Sequence, residues 1–162
     1  NFEGLIRAYS NSPVRETHHL VIAGGRGWLY EPIFAAAKAS VAAGRIHFIG
    51  FVADDDLPAL YNLADIFAYP SYYEGFGIPV IEAMACGTPV VCADNSSLPE
   101  VAGAAALLVP ATDLPALAEA LQRLADDQAL RQRCVETGLR QARQFDWSTA
   151  AQRLLEVYRQ LG

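Results

Sequence analysis

The sequence is short of charge, and of basic charge in particular. Only 19% of its 162 residues are charged, and 12 lysines and arginines stand against 18 aspartates and glutamates, for a net charge of −6. This balance excludes the basic footprint of a protein that binds nucleic acid. An anionic ligand would therefore have to be held by local groups, because the overall field of the protein does not attract it.

Cysteine is equally scarce. The three cysteines, Cys86, Cys92 and Cys134, form no C-x-x-C pair, and no histidine lies at metal-ligand spacing from them. An odd number without such spacing predicts a reduced, cytosolic chain with no structural zinc. Cys86 and Cys92 lie in apolar runs, where a thiol is expected to be buried and unreactive.

Long apolar segments and targeting signals are also missing. No uncharged run reaches the roughly 18 residues that a membrane-spanning helix needs, and no basic segment followed by an apolar one opens the sequence. There is no initiator Met, and Asn1 stands directly before a helical pattern that it is expected to cap. We therefore expect a piece of a longer protein, located in the cytoplasm or peripherally at the inner face of the membrane.

What the sequence does contain is apolar material in short runs. Hydrophobic residues make up 52% of the chain, which is enough for a sizeable core and excludes intrinsic disorder. Short, non-alternating apolar runs separated by helical periodicity predict an α/β fold, a doubly wound parallel sheet covered on both faces. Strands are expected over 19–23, 45–49, 65–69, 89–93 and 105–109, and helices over 2–9, 28–43, 54–64 and 78–86. From 113 onward only helices are expected, a first one followed by two more over 130–143 and 147–160.

The pattern also predicts the limits of the domain. Residues 1–162 form one domain, in which 113–162 are a helical C-terminal end. No strand precedes the first helix, so the element missing from the α/β repeat is the first strand of the domain. In the last helix, the apolar stripe through Leu154, Leu155 and Tyr158 is interpreted as core, although some of it is expected to be exposed in this chain.

Ligands of an open α/β sheet bind beyond the carboxyl ends of its strands. This rule selects the loops at 24–27, 50–53, 70–77 and 93–98 as candidates. In the first of them, the glycines do not complete a dinucleotide-binding motif, so a tight turn is the favoured interpretation, although Arg26 would be able to reach a phosphate.

The loop at 70–77 carries the clearest chemical signal. Gly75 and Gly77 allow the backbone to approach a ligand closely, and Pro79 suits the first turn of the helix that follows. Backbone N–H groups at a helix N-terminus form a ready anion site, so a diphosphate needs no Lys or Arg here. The amides expected to be free for it are those of Gly75, Phe76, Gly77, Ile78 and Val80.

Two carboxylates bracket this turn. Glu74 lies on the loop and Glu82 about one turn into the helix, so both are expected to face one crevice, several ångströms apart. A carboxylate accepts hydrogen bonds from the vicinal hydroxyls of a sugar. Amides for phosphate and carboxylates for sugars together describe a nucleotide-sugar site. For either glutamate alone, a helix-dipole partner or a solvated loop residue is the simpler interpretation.

The segment 74–91 closely resembles the E-x7-E signature of family 4 glycosyltransferases, whose fold is GT-B. The segments 21–25, 48–52, 64–67 and 98–101 also match the family in order and spacing, so the resemblance covers essentially the whole chain. It implies the Rossmann-like C-terminal half of such an enzyme. The family's phosphate-contacting Arg and Lys, its first strand of this domain and its N-terminal acceptor domain would all lie upstream of Asn1.

The resemblance implies a role for each matched residue. Glu74 would contact the donor sugar near the transferred carbon and is the catalytic candidate, whereas Glu82 would bind the ribose. The base would lie against Phe51 and Val52. The donor sugar and the distal phosphate would be held by the amides of Gly75, Phe76, Gly77 and Ile78, with the Val80 amide beside the ribose.

The implied function is donor binding for a retaining transfer that needs no metal or other cofactor. The donor would be a nucleoside-diphosphate sugar, with GDP-mannose as the first candidate because 95–103 is similar to bacterial mannosyltransferases. A glycan or lipid-linked acceptor, and any contact with a membrane, would come through the missing domain, so the chain alone is expected to be inactive. Two alternatives are a nucleotide-sugar epimerase of the same fold and a non-catalytic nucleotide-sugar binding module.

Weaker signals have structural interpretations. The aspartates at 54–56 contain a D-x-D, which holds a metal in another glycosyltransferase fold, but here they are expected to cap a helix. Tyr72 and Tyr73 would either stack on a sugar or pack beneath the loop. Glu100 is expected to brace the neighbouring loop.

Overall fold

A computed structural model describes residues 1–25 and 30–161 of the chain. Its strands are β1 (Leu20–Ala23), β2 (Ile46–Gly50), β3 (Phe67–Tyr69), β4 (Val90–Ala93) and β5 (Ala106–Val109). Its α-helices are α1 (Phe2–Asn11), α2 (Glu31–Ala39), α3 (Leu57–Leu63), α4 (Ile78–Ala85), α5 (Leu98–Ala102), α6 (Leu114–Asp126), α7 (Gln128–Ala142) and α8 (Trp147–Leu161). The alternation of strands and helices confirms the predicted α/β class.

All strand pairs are parallel, but they form two groups. β1 pairs with β2, and β3, β4 and β5 pair in that order. Within the described residues no ladder joins β1 to β3, so the single predicted sheet is interrupted between them.

The central strand β4 shows that helices cover both faces. Because side chains alternate along a strand, Val91 points into a core shared with α1 and α6. Val90 and Cys92 point the other way, into a core shared with α4 and α5. All three side chains are buried. The doubly wound arrangement predicted from the short apolar runs is therefore confirmed.

Helix α4, which carries Glu82, is held from outside by α7. Gly138 of α7 lies so close to Met84 of α4 that a Cβ at this glycine would be 3.2 Å from the Met84 Cγ. Met84 itself is 1% exposed. The absence of a side chain at Gly138 therefore lets the two helices approach, and this contact helps to fix the helix on which the second glutamate lies.

Several local predictions need correction. Of the helix expected over 28–43, residues 31–39 are helical and residues 28 and 29 lie outside the described part of the chain. Helix α5 was not predicted, although Pro99 in its first turn is a helix-start signal. Asn1 occupies the N-cap position of α1, but its side chain makes no capping hydrogen bond; its Nδ2 donates to the carbonyl oxygens of Pro70 and Ala111 at 2.9 and 2.7 Å.

The apolar stripe of the C-terminal helix is more exposed than expected. Leu154, Leu155 and Tyr158 are 54%, 52% and 62% exposed, so the stripe interpreted as core lies on the surface. A period of 3.6 identifies an apolar helix face but not what that face packs against. None of the described helices is long and apolar enough to cross a membrane.

Candidate functional site

The loops that follow β3 and β4 are joined to each other by hydrogen bonds. The Ser97 hydroxyl lies 3.1 Å from the Glu74 carbonyl oxygen and 2.7 Å from that of Phe76. The Asn95 side chain donates to the Ser71 carbonyl oxygen at 3.3 Å. Parallel strands end at the same sheet edge, so residues more than twenty positions apart meet here. The loop after β4 thus fixes the backbone of the glycine loop.

Ser96 has the only left-handed backbone among the described non-glycine residues, with φ of 51°. This conformation is costly for a residue with a Cβ and is typical of functional sites. Here it carries the Ser96 Oγ to the Glu74 N–H group, from which it accepts a hydrogen bond at 3.1 Å. The Glu74 amide is therefore occupied within the protein.

The two glycines of the loop differ in backbone conformation and in the space around them. Gly77 is the N-cap of α4 with φ of +104°, and a Cβ there would lie 2.6 Å from the Leu98 Cδ2. Gly75 has no such constraint, since no described atom lies within 4 Å of a Cβ built on it. Gly77 is thus required by the fold, whereas the open space beside Gly75 is available to a ligand.

The amides at the start of α4 largely match the expectation. Those of Gly75, Phe76, Gly77 and Ile78 donate to no group in the described part of the chain. The Val80 amide differs, because it donates to the Gly77 carbonyl oxygen at 3.0 Å. Val80 closes the first turn of the helix, so the prediction that its amide is free was wrong.

Glu74 is half-buried and is held through one of its two carboxylate oxygens. The Tyr69 hydroxyl donates to Oε1 at 2.7 Å, and the Ser71 hydroxyl donates to the same atom at 2.8 Å. No described group donates to Oε2. The carboxylate thus presents one oxygen with its lone pairs available to a ligand hydroxyl.

Glu82 has the same kind of contact. The Tyr61 hydroxyl donates to its Oε2 at 3.0 Å, and no Lys or Arg in residues 1–25 or 30–161 forms an ion pair with either glutamate. Burial and the hydrogen bond to a glutamate raise the pKa of both Tyr61 and Tyr69 well above the ordinary value. Both hydroxyls therefore remain protonated donors at neutral pH.

Phe51 and Val52 follow β2, just as the glycine loop follows β3. Phe51 is 79% exposed and Val52 is partly buried. Gly50 and Gly24 line a cleft of about 530 Å³ beside them. No hydrogen bond between described residues joins this loop to the glutamates. The predicted contribution of Arg26 lies outside the residues that the structure describes.

The structure also bears on the weaker sequence signals. Tyr72 and Tyr73 are 60% and 79% exposed, so they do not pack beneath the loop. Glu100 is exposed and forms no hydrogen bond or ion pair with the described glycine loop, which Ser96 and Ser97 brace instead. The aspartates at 54–56 precede α3, and Asp56 occupies its N-cap position without a side-chain hydrogen bond. They lie in no group of three or more potential metal ligands among the described residues.

Comparison with known proteins identifies several relatives. Residues 1–141 match the family described as Glycosyl transferases group 1. The chain is 42% identical over 164 positions to the O-antigen chain mannosyltransferase B of Escherichia coli, a match that covers 99% of the chain and 43% of the relative. It is 43% identical over 127 positions to the D-inositol 3-phosphate glycosyltransferase of Salinispora tropica, covering 75% and 26%. The chain thus spans less than half the length of these curated relatives.

Solved structures share the fold. The sucrose-phosphate synthase of Thermosynechococcus elongatus matches with a TM-score of 0.84 at 32% identity, over 99% of this chain and 42% of that one. HepE of Anabaena, in complex with UDP and glucose, matches with a TM-score of 0.87 at 25% identity, over 97% and 44%. The curated relatives are named as transferases, so the comparisons do not favour an epimerase or a non-catalytic binding module.

Proposed function

Because this chain belongs to the glycosyl transferases group 1 family, we propose that it binds the nucleoside-diphosphate-sugar donor of a retaining glycosyltransferase. The acceptor, a glycan or a lipid-linked sugar, binds to another part of the natural protein. The chain by itself binds donor without transferring it. Neither a metal nor another cofactor takes part.

One observation carries this proposal: unused amides and unused carboxylate oxygens occur on one short segment. The amides at 75–78 have no described partner, and Glu74 and Glu82 each have one oxygen to which no described residue donates. Amides suit a diphosphate and the sugar next to it, whereas carboxylates suit hydroxyl groups. A nucleoside-diphosphate sugar carries both a diphosphate and sugar hydroxyl groups.

Different residues bind different parts of the donor. Glu74 accepts from hydroxyls of the transferred sugar, and Glu82 accepts from the ribose. The base lies against Phe51 and Val52. The sugar and distal phosphate lie on the amides of Gly75, Phe76, Gly77 and Ile78, and Val80 supports the ribose site by closing the first helical turn.

This arrangement assists the departure of the nucleoside diphosphate. Negative charge accumulates on the distal phosphate as the bond to the sugar breaks, and the N–H groups at the start of α4 point toward such a charge. The Glu74 carboxylate holds the sugar with its transferred carbon facing the acceptor. Loss of the diphosphate and transfer to the acceptor then occur with retention of configuration.

GDP-mannose is the donor that we propose. The resemblance of 95–103 to bacterial mannosyltransferases and the 42% identity to an O-antigen chain mannosyltransferase support mannose. The nearby solved structure with UDP and glucose represents a competing choice of base and sugar. Competition between GDP-mannose and UDP-glucose for the natural full-length protein decides between them.

Calorimetric titration tests the site itself. GDP, UDP and ADP, each with and without an attached sugar, are titrated into the natural full-length protein and its variants. We expect Glu82→Gln to lower the affinity for a nucleoside diphosphate and for the corresponding nucleotide sugar by about tenfold each. Glu74→Gln should lower the affinity for the nucleotide sugar only. Glu156→Gln, on the exposed helix α8, is the matched control and leaves every affinity unchanged. Failure of the unmodified protein to bind any of these ligands would overturn the proposal.

A further inference from the structure

The two glutamates are connected by a row of three aromatic rings. The ring of Tyr61 in α3 meets that of Phe67 in β3 edge to face, with centroids 5.3 Å apart. Phe67 is stacked on Tyr69 with centroids 5.7 Å apart. At the two ends of this row, the hydroxyl groups of Tyr61 and Tyr69 donate to Glu82 and Glu74.

We propose that Tyr61 and Tyr69 are positioning residues that set the orientation of the two glutamates and leave one oxygen of each carboxylate for the donor. This inference rests on the proposed function, since it assigns Tyr61 to the ribose half of the donor site and Tyr69 to the sugar half. Neither tyrosine contacts the donor itself.

The row is anchored from several sides. Phe67 and Tyr69 are two positions apart in β3 and therefore lie on the same face, packed against the core under α4 and α5. The backbone of Tyr61 is held by Thr88, which is 4% exposed and donates to the Tyr61 carbonyl oxygen at 2.7 Å. Rings held by packing and hydrogen bonds occupy few rotamers, so the hydroxyls at their ends are fixed in space.

A hydroxyl group is a suitable hydrogen-bond donor for orienting these carboxylates. A neutral hydroxyl holds a carboxylate without neutralising it, whereas a Lys or Arg in the same place would compete with a ligand hydroxyl for both oxygens. At Glu74 two hydroxyls, from Tyr69 and Ser71, meet at Oε1. Rotation of the carboxylate would break both hydrogen bonds, so Oε2 keeps its direction.

The test compares which part of the ligand each tyrosine affects. Tyr61→Phe and Tyr69→Phe, made in the natural full-length protein, are titrated with a nucleoside diphosphate, its 2′-deoxy form and the nucleotide sugar. We expect Tyr69→Phe to weaken the nucleotide sugar about tenfold and the nucleoside diphosphate less than twofold. Tyr61→Phe weakens both about tenfold and reduces the preference for the ribose over the 2′-deoxyribose form.

Matched variants separate positioning from a general loss of stability. Tyr9→Phe removes a comparable hydrogen bond, from a buried hydroxyl to the His18 carbonyl oxygen at 2.8 Å, and should leave all three affinities unchanged. Ser71→Ala removes the second donor to Glu74 Oε1 and should reproduce the Tyr69→Phe pattern in weaker form.

The outcomes distinguish this inference from the proposed function. If the unmodified protein binds none of the ligands, the proposed function fails and the inference fails with it. If the unmodified protein binds and the Glu74→Gln and Glu82→Gln patterns are as expected, the inference is overturned alone when the tyrosine variants bind like the unmodified protein. It is also overturned when both tyrosine variants weaken every ligand equally.

Discussion

Gly77 and Leu98 are in such close contact that the glycine has no room for a side chain. A Cβ on Gly77 would lie 2.6 Å from the Leu98 Cδ2, and Leu98 is completely buried. This contact packs the first turn of α5 against the N-terminus of α4. The position of the unused amides therefore depends on a helix that contributes no functional group of its own.

Gly77→Ala should destabilise the fold, whereas Gly75→Ala should not. At Gly77 the positive φ and the clash with Leu98 together cost about 2–4 kcal/mol. Open space surrounds Gly75, so Gly75→Ala should change the free energy of unfolding by less than about 0.5 kcal/mol. It should nevertheless weaken donor binding, because its methyl group would occupy the space proposed for the donor. Urea denaturation and calorimetry of both variants check this. Equal stability of the two variants would contradict the conclusion that the fold requires glycine at position 77 but not at position 75.

Substitution of Ser96 should separate backbone strain from hydrogen bonding. Ser96→Gly relieves the left-handed backbone, while Ser96→Ala keeps the strain, so the glycine variant should be the more stable by about 1 kcal/mol. Both variants remove the acceptor of the Glu74 N–H group and should weaken donor binding. Thermal unfolding and ligand titration measure the two effects separately. A more stable alanine variant would show that the Ser96 conformation is not strained.

The free energy of unfolding should fall at alkaline pH because of Cys92. Burial raises the pKa of its thiol from 9.0 to about 12. Below pH 9 the thiol is protonated in both states, but between pH 9 and 12 the unfolded chain loses the proton that the folded protein keeps. Stability then falls by up to about 1.4 kcal/mol per pH unit. Burial also raises the pKa of Cys86 and Cys134, and the raised pKa of Tyr61 and Tyr69 adds to the decline above about pH 10.

Cys92→Ala isolates this contribution. Urea denaturation at pH 8, 9 and 10 should give a shallower decline for the variant than for the unmodified protein, whatever the offset that the smaller side chain causes at pH 8. Parallel curves over this range would show that Cys92 does not govern the alkaline response.

Leucine truncations should distinguish the core from α8. Leu124→Ala removes a side chain that is 0% exposed and should lower the free energy of unfolding by about 2–5 kcal/mol. Leu155→Ala, at a position 52% exposed, should change it by less than about 0.5 kcal/mol in this chain. Chemical denaturation of the two variants makes the comparison. A large loss at Leu155 would mean that α8 packs on the domain.

Local patterns in the sequence were enough to predict the features that depend on residues close together in the chain. Short apolar runs gave the alternation of strands and helices, because strand and helix periodicity are local properties. The spacing of Glu74 and Glu82 around a glycine loop identified the segment that carries the candidate site. The family resemblance rests on the same local segments, and residues 1–141 match the family as a whole.

Which groups of that segment are available to a ligand depends on contacts made in the folded protein. It uses the Val80 amide inside the helix, and it brings Ser96 and Ser97 to the glycine loop from the next strand end. It also places Tyr61, twenty-one residues from Glu82, against that carboxylate. These contacts join residues distant in sequence, and hydrogen bonding depends on positions and angles that no local pattern records. The exposure of α8 has the same cause, since a helical period defines an apolar face but not its neighbour.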